Sequence, residues 1–301
     1  MQSAAPARRS RTFGILALLL VNTFWGLSFI ASKYALTSGF PPMTLATVRY
    51  VFAAAVLAPL ALAREGSLRL HRGDWPVAAL SALLGITFYY FFEYTGMTYT
   101  TASTASLILA ATPVLMLLYG VVSRRARAGV RQWLSLILSV LGVYAVIRYG
   151  AQNDLGGSLK GNLLVCGCCL CWVAYIQISS GLRGKYTSLR LTAWQALCAL
   201  VTLIPFALSE RARWAPVNAL AWGCVLALAL ICSALCYFLY AEALSAVDPF
   251  TASLFININP IAAVLGGMLL LGERLTPPQW AGGALILISL VLSNKRDHKR
   301  D

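Results

Sequence analysis

Ionisable residues inside long apolar runs are the first candidates for chemistry in this sequence. Lys33, Arg49 and Glu93 each lie within such a run, where a charge costs about 2.5–3.5 kcal/mol on membrane-insertion scales. At about 1.5 Å per residue, all three should lie within roughly 5–10 Å of the outer boundary of the membrane. One interpretation is a structural ion-pair cluster in which Lys33 extends to the headgroups. The other is that Lys33 or Arg49 binds an anionic group, such as a substrate carboxylate.

Another carboxyl group, Glu242, lies near the inner end of a later run. Because burial favours the protonated form of a carboxyl group, Glu242 is a candidate proton-coupling residue. Contacts with the cytoplasmic arginines are the alternative.

Aromatic side chains in the middle of apolar runs form a larger candidate set. A buried tyrosine hydroxyl or indole N–H needs a hydrogen-bond partner, which favours a cavity lining over simple core packing. The amide of Asn257 can similarly bind substrate or bond to another helix. The aromatic candidates are Trp25, Tyr89, Tyr90, Trp172, Tyr175 and Tyr237.

Two prolines mark candidate hinges, and the cysteines carry no chemistry of their own. Pro113 and Pro260 each interrupt an apolar run and free a carbonyl one turn earlier, so each predicts either a hinge or a static kink. A helix would spread the thiols of Cys166 to Cys171 around its circumference. We therefore expect no metal site. The sequence shows no nucleotide-binding loop and no nucleophile–base set, so we also expect no cofactor and no enzyme activity.

The elements that hold these residues are membrane-spanning helices. The 301 residues are 59% hydrophobic and 11% charged, with a mean hydropathy of +0.74, whereas soluble domains carry about 25% charged residues. A span needs roughly 17–25 apolar residues. The sequence predicts an all-α membrane protein with ten spans, at 13–37, 42–63, 75–96, 101–123, 131–149, 160–182, 188–208, 217–243, 250–272 and 278–294.

Basic residues predict the orientation of these spans. With the N-terminus inside, 17 of the 24 Lys and Arg residues fall in inner segments and five in outer segments. Positive charge collects on the cytoplasmic side, so both termini should be cytoplasmic. The net charge of +14 therefore reflects orientation, and we expect no nucleic-acid partner.

An internal repeat divides the chain into 1–149 and 150–301. A single shift of 147 residues aligns three tryptophan pairs, among them Trp25 with Trp172, and also Pro113 with Pro260. Each repeat holds five spans, and an odd number inverts the second copy. Inverted repeats are the architecture of many secondary transporters.

The sequence resembles the EamA family of the drug/metabolite transporter superfamily. The resemblance rests on the run from Phe24 to Phe29, on Lys33, on Pro41-Pro42 and Arg49, on Thr104-Ala105-Ser106 through Pro113, and on Leu271 to Thr276. It departs from the family in one place, because Ala126 stands where the first half often has the glutamate that matches Glu273. The resemblance implies a ten-helix bacterial exporter or exchanger of small metabolites, commonly amino acids or drug-like cations.

These observations predict a secondary transporter in the bacterial inner membrane that exports small metabolites by alternating access around an aromatic-lined central cavity. Amino acids are the leading substrate candidates. Efflux of cationic drugs is one alternative, and a membrane enzyme or scaffold acting on lipid is another. We expect a small-molecule substrate, contact with membrane lipid and a monomer, with protons as the candidate coupling ion.

Overall fold

The computed structural model describes residues 10–123, 129–150, 158–182, 185–247 and 255–294. Over these residues the chain forms ten helices, eight of them long and apolar enough to cross a membrane, with shorter apolar helices at α9 and α10. In chain order they are α1 (Arg11–Thr37), α2 (Pro42–Glu65), α3 (Trp75–Ala82, Leu83–Phe88 and Tyr89–Tyr99), α4 (Ala102–Leu109 and Thr112–Val122), α5 (Val130–Gly150), α6 (Leu159–Ser179), α7 (Ser188–Ser209), α8 (Ala219–Ala227, Leu228–Leu235 and Cys236–Ala246), α9 (Ile258–Leu270) and α10 (Pro277–Asn294).

The predicted all-helical architecture of ten spans is confirmed. Most predicted boundaries lie within three residues of the observed ones, because long apolar runs end where charges and turn residues begin. The span predicted at 250–272 lies partly outside the described residues, since α9 is described from Ile258.

Polar side chains at the helix ends explain several of these boundaries. Thr101 accepts a hydrogen bond from the backbone N–H of Thr104 at the start of α4. Thr276 and Gln279 form a reciprocal capping box at the start of α10, in which the Gln279 side chain accepts from the Thr276 N–H at 2.9 Å. These caps satisfy N–H groups that the helix itself leaves unpaired.

Contacts between α5 and α10 display the internal repeat in three dimensions. A Cβ added at Gly142 would lie 2.7 Å from the Gly282 carbonyl oxygen, so the two helices touch backbone to backbone. The Ser135 hydroxyl donates to the Ser289 carbonyl at 2.8 Å. The shift of 147 residues pairs Gly142 with Ser289 and Ser135 with Gly282. It therefore maps the Gly142–Gly282 contact onto the Ser135–Ser289 contact. This exchange is the pattern expected of a pseudo-two-fold relation between the halves.

Three helices are interrupted in their interior. In α3 and α8 the wider π-helical winding occupies Leu83–Phe88 and Leu228–Leu235, and the shift of 147 places the first segment inside the second. Helix α4 breaks at Ala110 and Ala111, just before Pro113. Pro260 is the third residue of α9, directly after a turn. The interruptions therefore recur in both halves, at matching positions.

Candidate functional site

Arg49 is a buried cation on α2, and its partners come from both halves of the chain. The residue is 5% exposed. Its Nε donates to the Ser233 hydroxyl on α8 at 2.9 Å, and its Nη1 donates to the Tyr94 hydroxyl on α3 at 2.8 Å. The guanidinium also lies 4.9 Å from the ring centroid of Tyr90. A guanidinium has five N–H donors, so the two hydrogen bonds formed with the described residues leave donors for a ligand.

Glu93 supplies the opposite charge from α3. The residue is buried, and its carboxyl group interacts with the Tyr89 hydroxyl and with the charge of Arg49. Removing either charge from water costs several kcal/mol, and each offsets part of that cost for the other. The structure therefore places Arg49 and Glu93 in one polar cluster.

Aromatic rings connect this cluster to the second half. Neighbouring ring centroids lie 5.0–5.6 Å apart along a chain that runs from α2 through α3 to α6. These tilted and edge-on arrangements are favourable for aromatic pairs. The members, in order of contact, are Tyr50, Tyr90, Tyr89, Trp172 and Tyr175.

Trp25 forms a second aromatic group with α8. Its indole N–H donates to the Cys232 carbonyl at 3.0 Å. Its ring lies 5.6 Å from that of Tyr237 and 5.4 Å from that of Tyr240. Tyr237 interacts electrostatically with Arg49, so the two aromatic groups adjoin. The predicted aromatic residues thus lie around Arg49, on helices of both halves.

The π-helical segments position these rings. Cys232, the acceptor for Trp25, lies within Leu228–Leu235 of α8. In the matching segment of α3, the Tyr175 ring packs so closely on Gly85 that an added Cβ would overlap it. Gly85 matches Cys232 under the shift of 147 residues. Each π-helical segment therefore receives an aromatic side chain from the other half of the chain.

Lys33 has different contacts from Arg49 and Glu93. Its Nζ donates to the carbonyl oxygens of Met97 at 2.6 Å and Thr100 at 2.8 Å, at the C-terminal end of α3. A cation is favourable there because the last carbonyls of a helix carry partial negative charge. Lys33 is half-buried and binds carbonyl oxygens at this end of α3.

The structure gives few contacts for the other predicted site residues, which are Asn257, Glu242, Pro113 and Pro260. Asn257 is half-buried in the turn before α9. Glu242 is half-buried in the last part of α8 and interacts with its surroundings. Their roles in substrate binding and coupling stay predictions, as do the hinge roles of Pro113 and Pro260.

The sequence did not predict the role of Glu273. Its carboxylate accepts from the Ala102 and Ser103 N–H groups at 2.8 and 2.9 Å, and from the Ser103 hydroxyl at 2.5 Å. Glu273 therefore caps α4 from the loop before α10. Gly272, with φ +66°, ends α9 and lets the Glu273 N–H return to the Gly267 carbonyl. The residue in the matching position, Ala126, lies outside the described residues.

Ser233 and Tyr94 were also missed as partners of Arg49. A serine in an apolar helix gives no sign of its partner, since the contact joins residues 184 positions apart. The aromatic run from Phe88 to Phe92, followed by Glu93 and Tyr94, is a signal for Tyr94, but it does not distinguish Tyr94 from its aromatic neighbours.

The fold and this buried, two-sided cluster define a multi-pass membrane protein of the two-repeat transporter class. The EamA-like transporter family matches this chain twice, over residues 12–148 and 159–295. The chain belongs to this family and is a membrane transporter.

Relatives of known sequence agree with this assignment over nearly the whole chain. An "Uncharacterized transporter" of Archaeoglobus fulgidus is 26% identical over 96% of this chain and 99% of its own length. The "Uncharacterized inner membrane transporter YicL" of Salmonella typhimurium is 25% identical over 95% of this chain and 97% of its own. One solved crystal structure superposes with a TM-score of 0.64 at 20% identity, covering 94% of this chain and 98% of that one, which supports the fold.

Proposed function

We propose that this transporter exports small metabolites, with amino acids as the favoured substrates, across the bacterial inner membrane by alternating access. Both termini lie in the cytoplasm in this proposal. The observation that carries the proposal is that Arg49 and Glu93 are both buried, among aromatic rings from both halves. An amino acid carries one carboxylate and one ammonium group, and this site offers one partner of each sign.

The carboxylate end of the substrate fits Arg49. Charge-assisted hydrogen bonds from a guanidinium to a carboxylate are frequently bidentate and stronger than neutral ones. The present partners of Arg49, the hydroxyls of Tyr94 and Ser233, are neutral. A carboxylate therefore supplies what these partners lack, a full negative charge.

The ammonium end fits Glu93 and the aromatic faces next to it. Tyr89 contacts both Glu93 and the Trp172 ring, and aromatic faces attract cations. Because Arg49 is on α2, Ser233 on α8 and Trp172 on α6, a substrate bound here touches both repeats. Rocking of one repeat against the other can then expose it to either side of the membrane.

Efflux of cationic drugs is the second candidate, and the same Glu93 with its aromatic neighbours is the observation that favours it. A cation would need these groups and would be repelled by Arg49. The two candidates therefore predict opposite effects when the charge of Arg49 is removed.

Transport by vesicles containing the purified protein tests the proposal. Labelled amino acids should cross the membrane, and Arg49→Gln should raise their half-saturating concentration by about 10–100-fold, since bonds to a charged group are worth about 1.5–3 kcal/mol. Arg148→Gln, which removes an exposed arginine from α5, is the matched control and should transport normally.

A second variant separates binding from folding. Arg49→Gln leaves Glu93 buried without its counter-charge, so Arg49→Gln with Glu93→Gln restores neutrality and should fold while failing to bind amino acids. Faster uptake of a cationic dye by Arg49→Gln would favour drug efflux instead. Protein-dependent flux of neither class, across a broad panel, would contradict transport of both kinds.

A further inference from the structure

A groove on the side of the helix bundle is separate from the Arg49 cluster. It has a volume of about 610 Å³ and lies between the start of α2, the last turns of α7 and the segment that leads into α8. Its volume is within the roughly 300–1,000 Å³ of pockets that hold a small ligand. The walls include Phe40, Val48, Ile204, Leu208, Trp214 and Trp222.

The walls of the groove are apolar and open to the outside of the bundle. Ile204 is 44% exposed and Leu208 54% exposed, although both are large apolar side chains. In a membrane protein this surface faces hydrocarbon. The groove therefore suits an acyl chain better than a polar solute.

Two tryptophans mark the level of the groove. Trp214 donates from its indole N–H to the Thr44 hydroxyl at 2.9 Å, and the ring of Trp222 lies 5.1 Å from that of Phe40. Tryptophan is enriched where hydrocarbon meets the headgroups. The groove thus begins in the acyl region and ends at the headgroup level.

Positive charge lies in the chain directly before the Trp214 wall of the groove. Arg211 and Arg213 form the turn directly before Trp214 and are exposed. They are two of the five basic residues in the segments predicted to face outside, so they depart from the inner bias of positive charge. Orientation alone gives no reason for a pair of arginines at this place.

The neighbouring carboxylate is already engaged elsewhere. Glu210 accepts from the N–H groups of Met43 and Thr44 at 3.2 and 2.8 Å, and from the Thr44 hydroxyl at 2.9 Å. Arg213 reaches it only at 4.0 Å, with 66% of the Arg213 side chain exposed. The guanidinium groups therefore remain available to an anion, and arginine matches the geometry of phosphate oxygens.

We propose that this groove binds one anionic phospholipid, with an acyl chain between α2 and α7 and the phosphate at Arg211 and Arg213. The acyl chain of the lipid lies along Val48, which precedes Arg49 on α2. Because Glu210 and Trp214 tie this end of α2 to α7 and its following segment, a lipid in the groove stabilises the outer ends of these helices.

Lipid titration of the purified full-length protein in detergent tests the site. Phosphatidylglycerol should raise the unfolding temperature at lower concentrations than phosphatidylcholine, because only its headgroup carries net negative charge. Arg211→Gln with Arg213→Gln should raise the half-saturating phosphatidylglycerol concentration at least tenfold. Arg274→Gln, which removes another exposed arginine of an outer segment, should not.

A second variant tests the acyl chain. Ala215→Phe places a bulky side chain on an exposed lining position and should weaken the binding of both lipids. The unfolding temperature measured without lipid should stay unchanged. Equal stabilisation by both lipids in the wild type would overturn the proposal. Equal stabilisation by inorganic phosphate alone, or protection that comes from a second copy of the chain, would overturn it as well.

Discussion

Lys33 donates to two carbonyl oxygens at the end of α3, and this contact determines the expected cost of removing it. Lys33→Met keeps the length of the side chain but leaves both carbonyls without their cation. Bonds to charged groups are worth about 1.5–3 kcal/mol, so thermal unfolding in detergent should show a destabilisation of that order. The half-saturating substrate concentration of the folded protein should stay unchanged. A normal unfolding temperature with weakened substrate binding would place Lys33 in the binding site.

Glu242 is the residue that we expect to carry a coupling proton. Glu242→Gln removes the group that can bind and release a proton, while substrate exchange at equal pH does not need it. Flux in vesicles should therefore lose its response to an imposed pH gradient and keep its exchange activity. Glu242→Asp, which retains a carboxyl group, should keep the response. A full response in Glu242→Gln would remove the residue from coupling.

Among the elements, the contact between α9 and α4 depends on the absence of a side chain at Gly267. A Cβ there would overlap the Ser103 hydroxyl and lie 2.5 Å from the Glu273 carboxylate. Gly267→Ala should therefore push Glu273 away from the start of α4 and destabilise the protein by about 1–3 kcal/mol, as overpacking does.

Gly223→Ala is the matched control, because nothing lies within 4 Å of a Cβ at this helical position. Alanine favours helix over glycine by about 1 kcal/mol, so Gly223→Ala should be neutral or stabilising when unfolding is measured in the same detergent. Equal unfolding temperatures for the two variants would show that the α4–α9 contact is not tightly packed.

The elements also show which features the sequence can predict. The spans follow from apolar runs, whose length and flanking charges are local properties, and the repeat follows from one shift of residue numbers. The π-helical segments and the capping role of Glu273 do not, since the contacts of Cys232 and Glu273 join residues 207 and 171 positions apart. At the site, residue types predicted Arg49, Glu93 and the aromatic residues, while Ser233 carried no signal of its own.

For the whole molecule, polar contacts tie the two halves together at both ends of the α2–α7 pair. At one end Glu210, after α7, accepts from the first N–H groups of α2. At the other end Glu65, the last residue of α2, accepts from the Thr187 hydroxyl and from Arg190 at 2.8 Å. The two carboxylates play reciprocal roles, as an inverted repeat requires. Carboxylates therefore link α2 of the first half and α7 of the second half at both ends of the pair.

The predicted cytoplasmic end carries a further connection between the α2–α3 and α6–α7 loops. Asp74 accepts from Lys185 at 2.9 Å and from the Tyr186 hydroxyl at 2.7 Å. These hydrogen bonds lower the pKa of Asp74 below its ordinary 3.8, and Asp74 raises the pKa of Lys185 above 10.5. The stabilisation that the Asp74 charge provides is lost only as pH falls below the ordinary pKa of Asp74. The stabilisation that the Lys185 charge provides is lost only as pH rises above the ordinary pKa of Lys185. This connection therefore persists at neutral pH.

Exchange of the two charges tests whether this connection closes the cytoplasmic side. Asp74→Lys places like charges together and should speed amide hydrogen exchange in both loops, because the halves separate more often at this end. The double variant Asp74→Lys with Lys185→Asp restores opposite charges and should return exchange and transport rates toward wild type. Arg148→Asp, a charge reversal on the exposed face of α5, should leave these loops unchanged. If amide hydrogen exchange stays fast in the double variant, the position of Asp74, rather than its pairing with Lys185, determines closure of the cytoplasmic side.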